Sequence, residues 1–119
     1  MDNITEYDKL VRDNIPDIIK NNGDEPIYRI LEDNEYLEYL YKKDIEELEE
    51  VKSAKLREEV KKELADKLEI IKGLASYYGY SLEDIIEEAD NKVKKNGAFN
   101  KRILLIRTIN KKGSDKNEL

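Results

Sequence analysis

The chain has 119 residues, 42% of them charged and 39% hydrophobic, with a net charge of −6 and no Cys, His or Trp. That length suits one domain, and despite the high charge enough apolar residues remain for a modest core that a partner would complete. Without His or Cys there is no Ser-His-Asp or Cys-His triad, zinc helix, Glu-x-x-His di-iron bundle or disulfide frame.

Any chemistry therefore falls to carboxylates, Lys, Arg, Tyr, Ser and Thr. A hard, oxygen-seeking cation is the natural cofactor, Mg²⁺ first and Mn²⁺ next. The opening stretch MDNITEYDKL is polar, and no apolar run of signal-peptide or membrane length follows, so a cytoplasmic protein with no membrane partner is expected. Net negative charge argues against nucleic acid as a partner, while local basic clusters remain able to hold a phosphorylated small molecule.

Leu10, Val11, Ile15, Ile18 and Ile19 gather around Pro16, which stands where a first helical turn tolerates proline, and Gly23 follows as a stop. The pattern predicts a short helix over residues 15–22. Residues 27–31, behind Pro26, are a candidate short strand. From residue 35, Leu37, Leu40, Tyr41, Ile45, Leu48 and Val51 recur at helical spacing to about residue 53. A second periodic segment carries Leu56, Val60, Leu64, Leu68, Ile71 and Leu74 and stops at Gly79.

Ser81 reads as an N-cap with Asp84 three positions on, and it launches a third amphipathic helix through Ile85, Ile86, Ala89 and Val93 to Asn96-Gly97. Residues 102–109 are too apolar for a tail and are a candidate strand pairing with residues 27–31. Residues 111–119 read as a disordered tail. The expectation is an all-α bundle with a short β element at most, one domain over residues 1–110.

The most informative feature is a pair of acid-x-x-acid motifs, Glu47-Leu48-Glu49-Glu50 and Glu63-Leu64-Ala65-Asp66, sixteen residues apart. At about 100° per residue, Glu47 and Glu50 lie on one side of Leu48, and Glu63 and Asp66 stand in the same relation to Leu64. Each pair thus projects beside the apolar stripe of its helix. Antiparallel packing through the stripes would bring the four acids together. Like charges at that range raise one another's pKa, and a divalent cation removes the conflict. Such a site is what phosphoryl-transfer or pyrophosphate-releasing chemistry needs. In so charged a chain, acids three apart also arise by chance. Glu49, Glu58 and Glu69 read as solvated partners of lysines four residues away, and Glu46 reads the same way on spacing alone. Lys67 falls inside the apolar stripe, about 60° from Leu64, free to snorkel or to reach the carboxylates or a phosphate.

With these motifs the sequence resembles the MazG-type all-α nucleoside triphosphate pyrophosphohydrolases, and among them the phosphoribosyl-ATP pyrophosphohydrolase-like group. The family pattern of Glu-x-x-Glu, a spacer and Glu-x-x-Asp is met by Glu47, Glu50, Glu63 and Asp66, with twelve residues between the motifs. The opening Tyr7-Asp8-Lys9-Leu10-Val11-Arg12-Asp13-Asn14-Ile15-Pro16 and the closing Gly97-Ala98-Phe99-Asn100-Lys101-Arg102-Ile103 follow two further signatures of the group. Asn14 and Lys67 depart from it, where the group usually has Lys and an aliphatic residue.

The resemblance implies a MazG-like bundle and Mg²⁺-dependent hydrolysis of a nucleoside triphosphate between the α- and β-phosphates. Glu47, Glu50, Glu63 and Asp66 would inherit the role of metal ligands, and Glu46, beside Glu47, that of orienting the attacking water. Lys9, Arg12, Lys92, Lys95, Lys101 and Arg102 are the candidate phosphate-binding residues, although lysines in a last helical turn are ordinary. Tyr7, Tyr77, Tyr78 and Phe99 read as core or interface. A homodimer, or a dimer of dimers, is expected, clearing unwanted nucleotides. The alternatives are a phosphoribosyl-ATP pyrophosphohydrolase of histidine biosynthesis and a catalytically silent, antitoxin-like interaction module.

Overall fold

The computed structural model describes residues 3–111, so all of the tail predicted as disordered except Lys111 lies outside the described residues. Within them run four helices: α1 (Ile15–Asn21), α2 (Asp33–Ser53), α3 (Arg57–Tyr77) and α4 (Leu82–Asn96). The described residues contain no strand, and the fold is all-α. No helix among them is long and apolar enough to cross a membrane.

The helix ends follow local chemistry. Pro16 stands in the first turn of α1, where its missing N–H costs nothing. Ahead of α2, Arg29 forks onto both carboxylate oxygens of Glu35 at 3.0 and 2.7 Å, and the Glu32 N–H donates to Glu35 at 3.4 Å. The Arg29 fork and the Glu32 N–H hold the Glu35 carboxyl down at about 2. At the end of α3, Gly79 takes a φ of +83°, and the Tyr80 N–H reaches back to the Ala75 carbonyl at 2.8 Å. A side chain with a Cβ is strained in that turn. Ser81 and Asp84 cap α4 reciprocally: the Ser81 N–H donates to Asp84 at 2.9 Å and the Asp84 N–H donates to Ser81 Oγ at 3.1 Å.

The chain separates into two compact units, one ending at Ile86 and the other starting at Glu87, with the boundary inside α4. In the first unit α2 and α3 pack on each other, joined through Ala54, Lys55 and Leu56. So short a connection makes the helices antiparallel. Their contacts agree, with Gly73 against Leu40, Lys67 against Asp44 and Glu63 near Glu47. A Cβ at Gly73 would sit 3.2 Å from the Tyr36 hydroxyl and 3.3 Å from a Leu40 methyl, so glycine there lets the helices approach closely. Among the described residues, Leu40, Ile70 and Ala75 are the buried apolar ones, and Glu47 is the buried charged one. Tyr41, Ile45, Leu48, Leu64, Leu68 and Ile71 remain between 41% and 63% exposed.

In the second unit the Arg102 N–H donates to the Phe99 carbonyl at 3.0 Å, with Arg102 at a φ of +57°. One expectation is corrected here. Residues 27–31 and 102–109 form no strand; Ile27, Ile30, Ile103 and Leu104 are almost fully exposed. β-prone side chains make a ladder only where a face is covered, and a lone pair of strands is marginal in water. Of the aromatic residues read as core or interface, Tyr7, Tyr78 and Phe99 are exposed, which leaves them the interface half of that reading. Tyr77 alone of that set is half-buried, its ring 6.3 Å from Tyr36 and 5.1 Å from Tyr78.

Candidate functional site

The α2–α3 pairing brings Glu47, Glu63 and Asp66 together, each with a carboxylate oxygen within 4.8 Å of the others. Glu47 lies deepest, at 6% exposure. Its Oε2 is buried and has no hydrogen-bond partner, while Oε1 faces the Lys43 ammonium at 3.8 Å. Burial drives the Glu47 carboxyl up to about 7; the adjacent Glu63 carboxyl and the Asp66 charge push the same way, and Lys43 opposes them. A buried oxygen with no donor is costly, and two neighbouring acids increase the cost.

The predicted fourth acid stays outside this group. Glu50 is exposed on α2, about 60° from Glu47 around the helix, and is not among the three acids whose oxygens meet. Glu46 is partly exposed and pairs with Lys43 at 3.3 Å. Lys67, in the apolar stripe, pairs outside the cluster; its ammonium donates to Asp44 across the helix pair at 2.7 Å, in a partly buried position. Glu49–Lys52 and Glu69–Lys72 are surface pairs at 3.8 and 3.2 Å, spaced three residues apart where four was expected.

Of the predicted phosphate-binding residues, Arg12 joins the site directly. Its Nη2 donates to Asp66 Oδ1 at 2.6 Å. Just upstream, the Tyr39 hydroxyl donates to Asp8 at 2.5 Å, so the segment before α1 touches both long helices. Lys9 is exposed and stands 5.7 Å above the Tyr7 ring. Lys92, Lys95, Lys101 and Arg102 are exposed and belong to the second unit.

Sequence reasoning passed over Lys43 and Asp44. The signal for Lys43 lay in its spacing, three residues before Glu46 and four before Glu47, the distances at which helical side chains meet. Asp44 carried no such signal, because its partner is on another helix. Toward the far end of α3, Ile71, Leu74, Ala75, Tyr78, Tyr80 and Ile85 line an open apolar hollow.

Set against known proteins, the chain matches no family model, no curated protein and no solved structure. The donor set itself is chemically selective. Glu47, Glu63 and Asp66 offer oxygen alone, the preference of Mg²⁺ and Mn²⁺, and a cation would satisfy the unpartnered Oε2 of Glu47. These residues fit a hard divalent cation.

Proposed function

We propose that this chain is a Mg²⁺-dependent nucleoside triphosphate pyrophosphohydrolase, which cleaves between the α- and β-phosphates and releases the monophosphate and pyrophosphate. The observation that carries the reading is the convergence of Glu47, Glu63 and Asp66 around the buried, unpartnered Oε2 of Glu47. The resemblance of the acidic, opening and closing motifs to MazG-type enzymes supports it. So does the chemistry of the donors, which suits a cation that handles phosphate.

In this reading Glu47, Glu63 and Asp66 hold the cation, with Glu50 at its margin. Bound Mg²⁺, or Mn²⁺, supplies positive charge against the charge that builds on a polyphosphate during bond breaking. Glu46 orients the attacking water and takes its proton. The water oxygen bonds to the α-phosphorus, and the α–β bridging oxygen leaves with pyrophosphate. Lys9 and Arg12 offer cationic groups to the phosphate oxygens. The role suggested is clearance of unwanted nucleotides in the cytoplasm.

The proposal includes assembly as a homodimer. Ile45, Leu48, Leu64 and Leu68 on α2 and α3 are all more than 40% exposed, and a second copy would cover them. The catalytic part is tested by substitution in a pyrophosphate-release assay. Glu47→Gln, Glu63→Gln and Asp66→Asn are each expected to lose about a hundredfold or more in turnover, the scale of removing a key electrostatic group, and Glu50→Gln much less. Undiminished release by Glu47→Gln would overturn the assignment.

A further inference from the structure

The acid cluster already has a cation on it. Arg12 Nη2 sits 2.6 Å from Asp66 Oδ1, and the pair is 54 residues apart in sequence, so the fold and not local geometry creates it. We propose that Arg12 is the cluster's own counter-cation and that a divalent cation takes its place on Asp66, releasing the guanidinium to an anionic phosphate ligand. The inference rests on the metal reading above and adds an order to it: cation first, phosphate second.

Three features single out Arg12 for exchange. First, its hold is weak, because both partners are solvated: the side chains of Arg12 and Asp66 are 55% and 39% exposed, and exposed ion pairs are easily exchanged. Second, it is carried on irregular backbone before α1, where a small rotation moves the guanidinium without unpacking a helix. The contact of Asp8 with the Tyr39 hydroxyl tethers the same segment upstream, so a released Arg12 stays near the site. Third, the other cation at the cluster cannot serve. Lys43 is only 21% exposed and is held between Glu46 and Glu47 on α2.

Placing the cation also removes a conflict. Glu47 Oε2 has no partner, and Arg12 does nothing for it, since its contact is with Asp66. A divalent ion among the three carboxylates satisfies that oxygen and outcompetes a single guanidinium for Asp66. The freed guanidinium is a fork suited to phosphate oxygens.

The test is Mn²⁺ binding to the full chain, followed by titration calorimetry, for the wild type, Arg12→Gln, Arg12→Lys and Glu47→Gln. Removing the competing charge in Arg12→Gln is expected to tighten Mn²⁺ binding by about five- to tenfold, the scale of an exposed ion pair plus a nearby like charge. Arg12→Lys keeps the charge and should stay near wild type. In hydrogen exchange, Mn²⁺ should loosen residues 10–13 of the wild type, and added inorganic triphosphate should protect them again. Weaker or unchanged Mn²⁺ binding by Arg12→Gln, with the wild type still binding and Glu47→Gln impaired, would overturn the exchange while leaving the metal site standing. Absence of Mn²⁺ binding by the wild type would remove both.

Discussion

A carboxyl pushed up to about 7, as burial and its acidic neighbours do to Glu47, keeps its proton in the folded chain at pH values where the unfolded chain has released it. Between about pH 4.5 and 7 the folded state therefore binds more protons, and stability falls as pH rises through that window. Above it the deficit is constant, on the order of 3 kcal/mol for a shift of this size. Urea denaturation in chelator at pH 5 and pH 8 checks this. Glu47→Gln should flatten that part of the profile and be the more stable protein at pH 8, and profiles running parallel would contradict the assignment. Lys67 makes a second residue-scale case. Its ion pair with Asp44 is only partly buried, and such pairs contribute little. Lys67→Met, which restores an apolar residue to the stripe, is expected to change stability by less than about 1 kcal/mol, measured by the same denaturation.

At the scale of elements, the caps are testable one by one. No residue of α4 is buried, so its first turn depends on Ser81 and Asp84. Ser81→Ala removes the acceptor for the Asp84 N–H and should cost about 1 kcal/mol of local stability, read as faster amide exchange at the start of α4. The helices were legible because apolar spacing, caps and glycine stops are local: Leu40 to Val51 and Val60 to Tyr78 repeat with a helical period, and Ser81 sits three residues before its acidic partner. The strands were misread because residues 27–31 and 102–109 have the right side chains but no covered face. Within the site, helix periodicity was enough to place Glu47, Glu63 and Asp66 on flanks that meet. It could not tell that Glu50, one turn on, stays exposed and outside the group of three. The contacts of Arg12 with Asp66 and of Lys67 with Asp44 join distant parts of the chain, so no local pattern announces them.

For the molecule as a whole, the small core and the exposed stripes are two sides of one fact. Leu40, Ile70 and Ala75 are buried, while Ile45, Leu48, Leu64 and Leu68 on the same helices face outward. Covering those four by a second copy is worth several kcal/mol at about 25 cal/mol per Å² of apolar area. Sedimentation velocity is expected to show a dimer for the wild type and a shift toward monomer for Leu68→Glu; unchanged sedimentation would contradict that interface. What defines the proposed activity is the bond that is cut. Its most direct test is phosphorus NMR of the products formed from a panel of nucleoside triphosphates, with Mg²⁺ and with chelator. Equal amounts of nucleoside monophosphate and pyrophosphate are expected with Mg²⁺, and none with chelator. Orthophosphate as the first product, or turnover that persists in chelator, would contradict it.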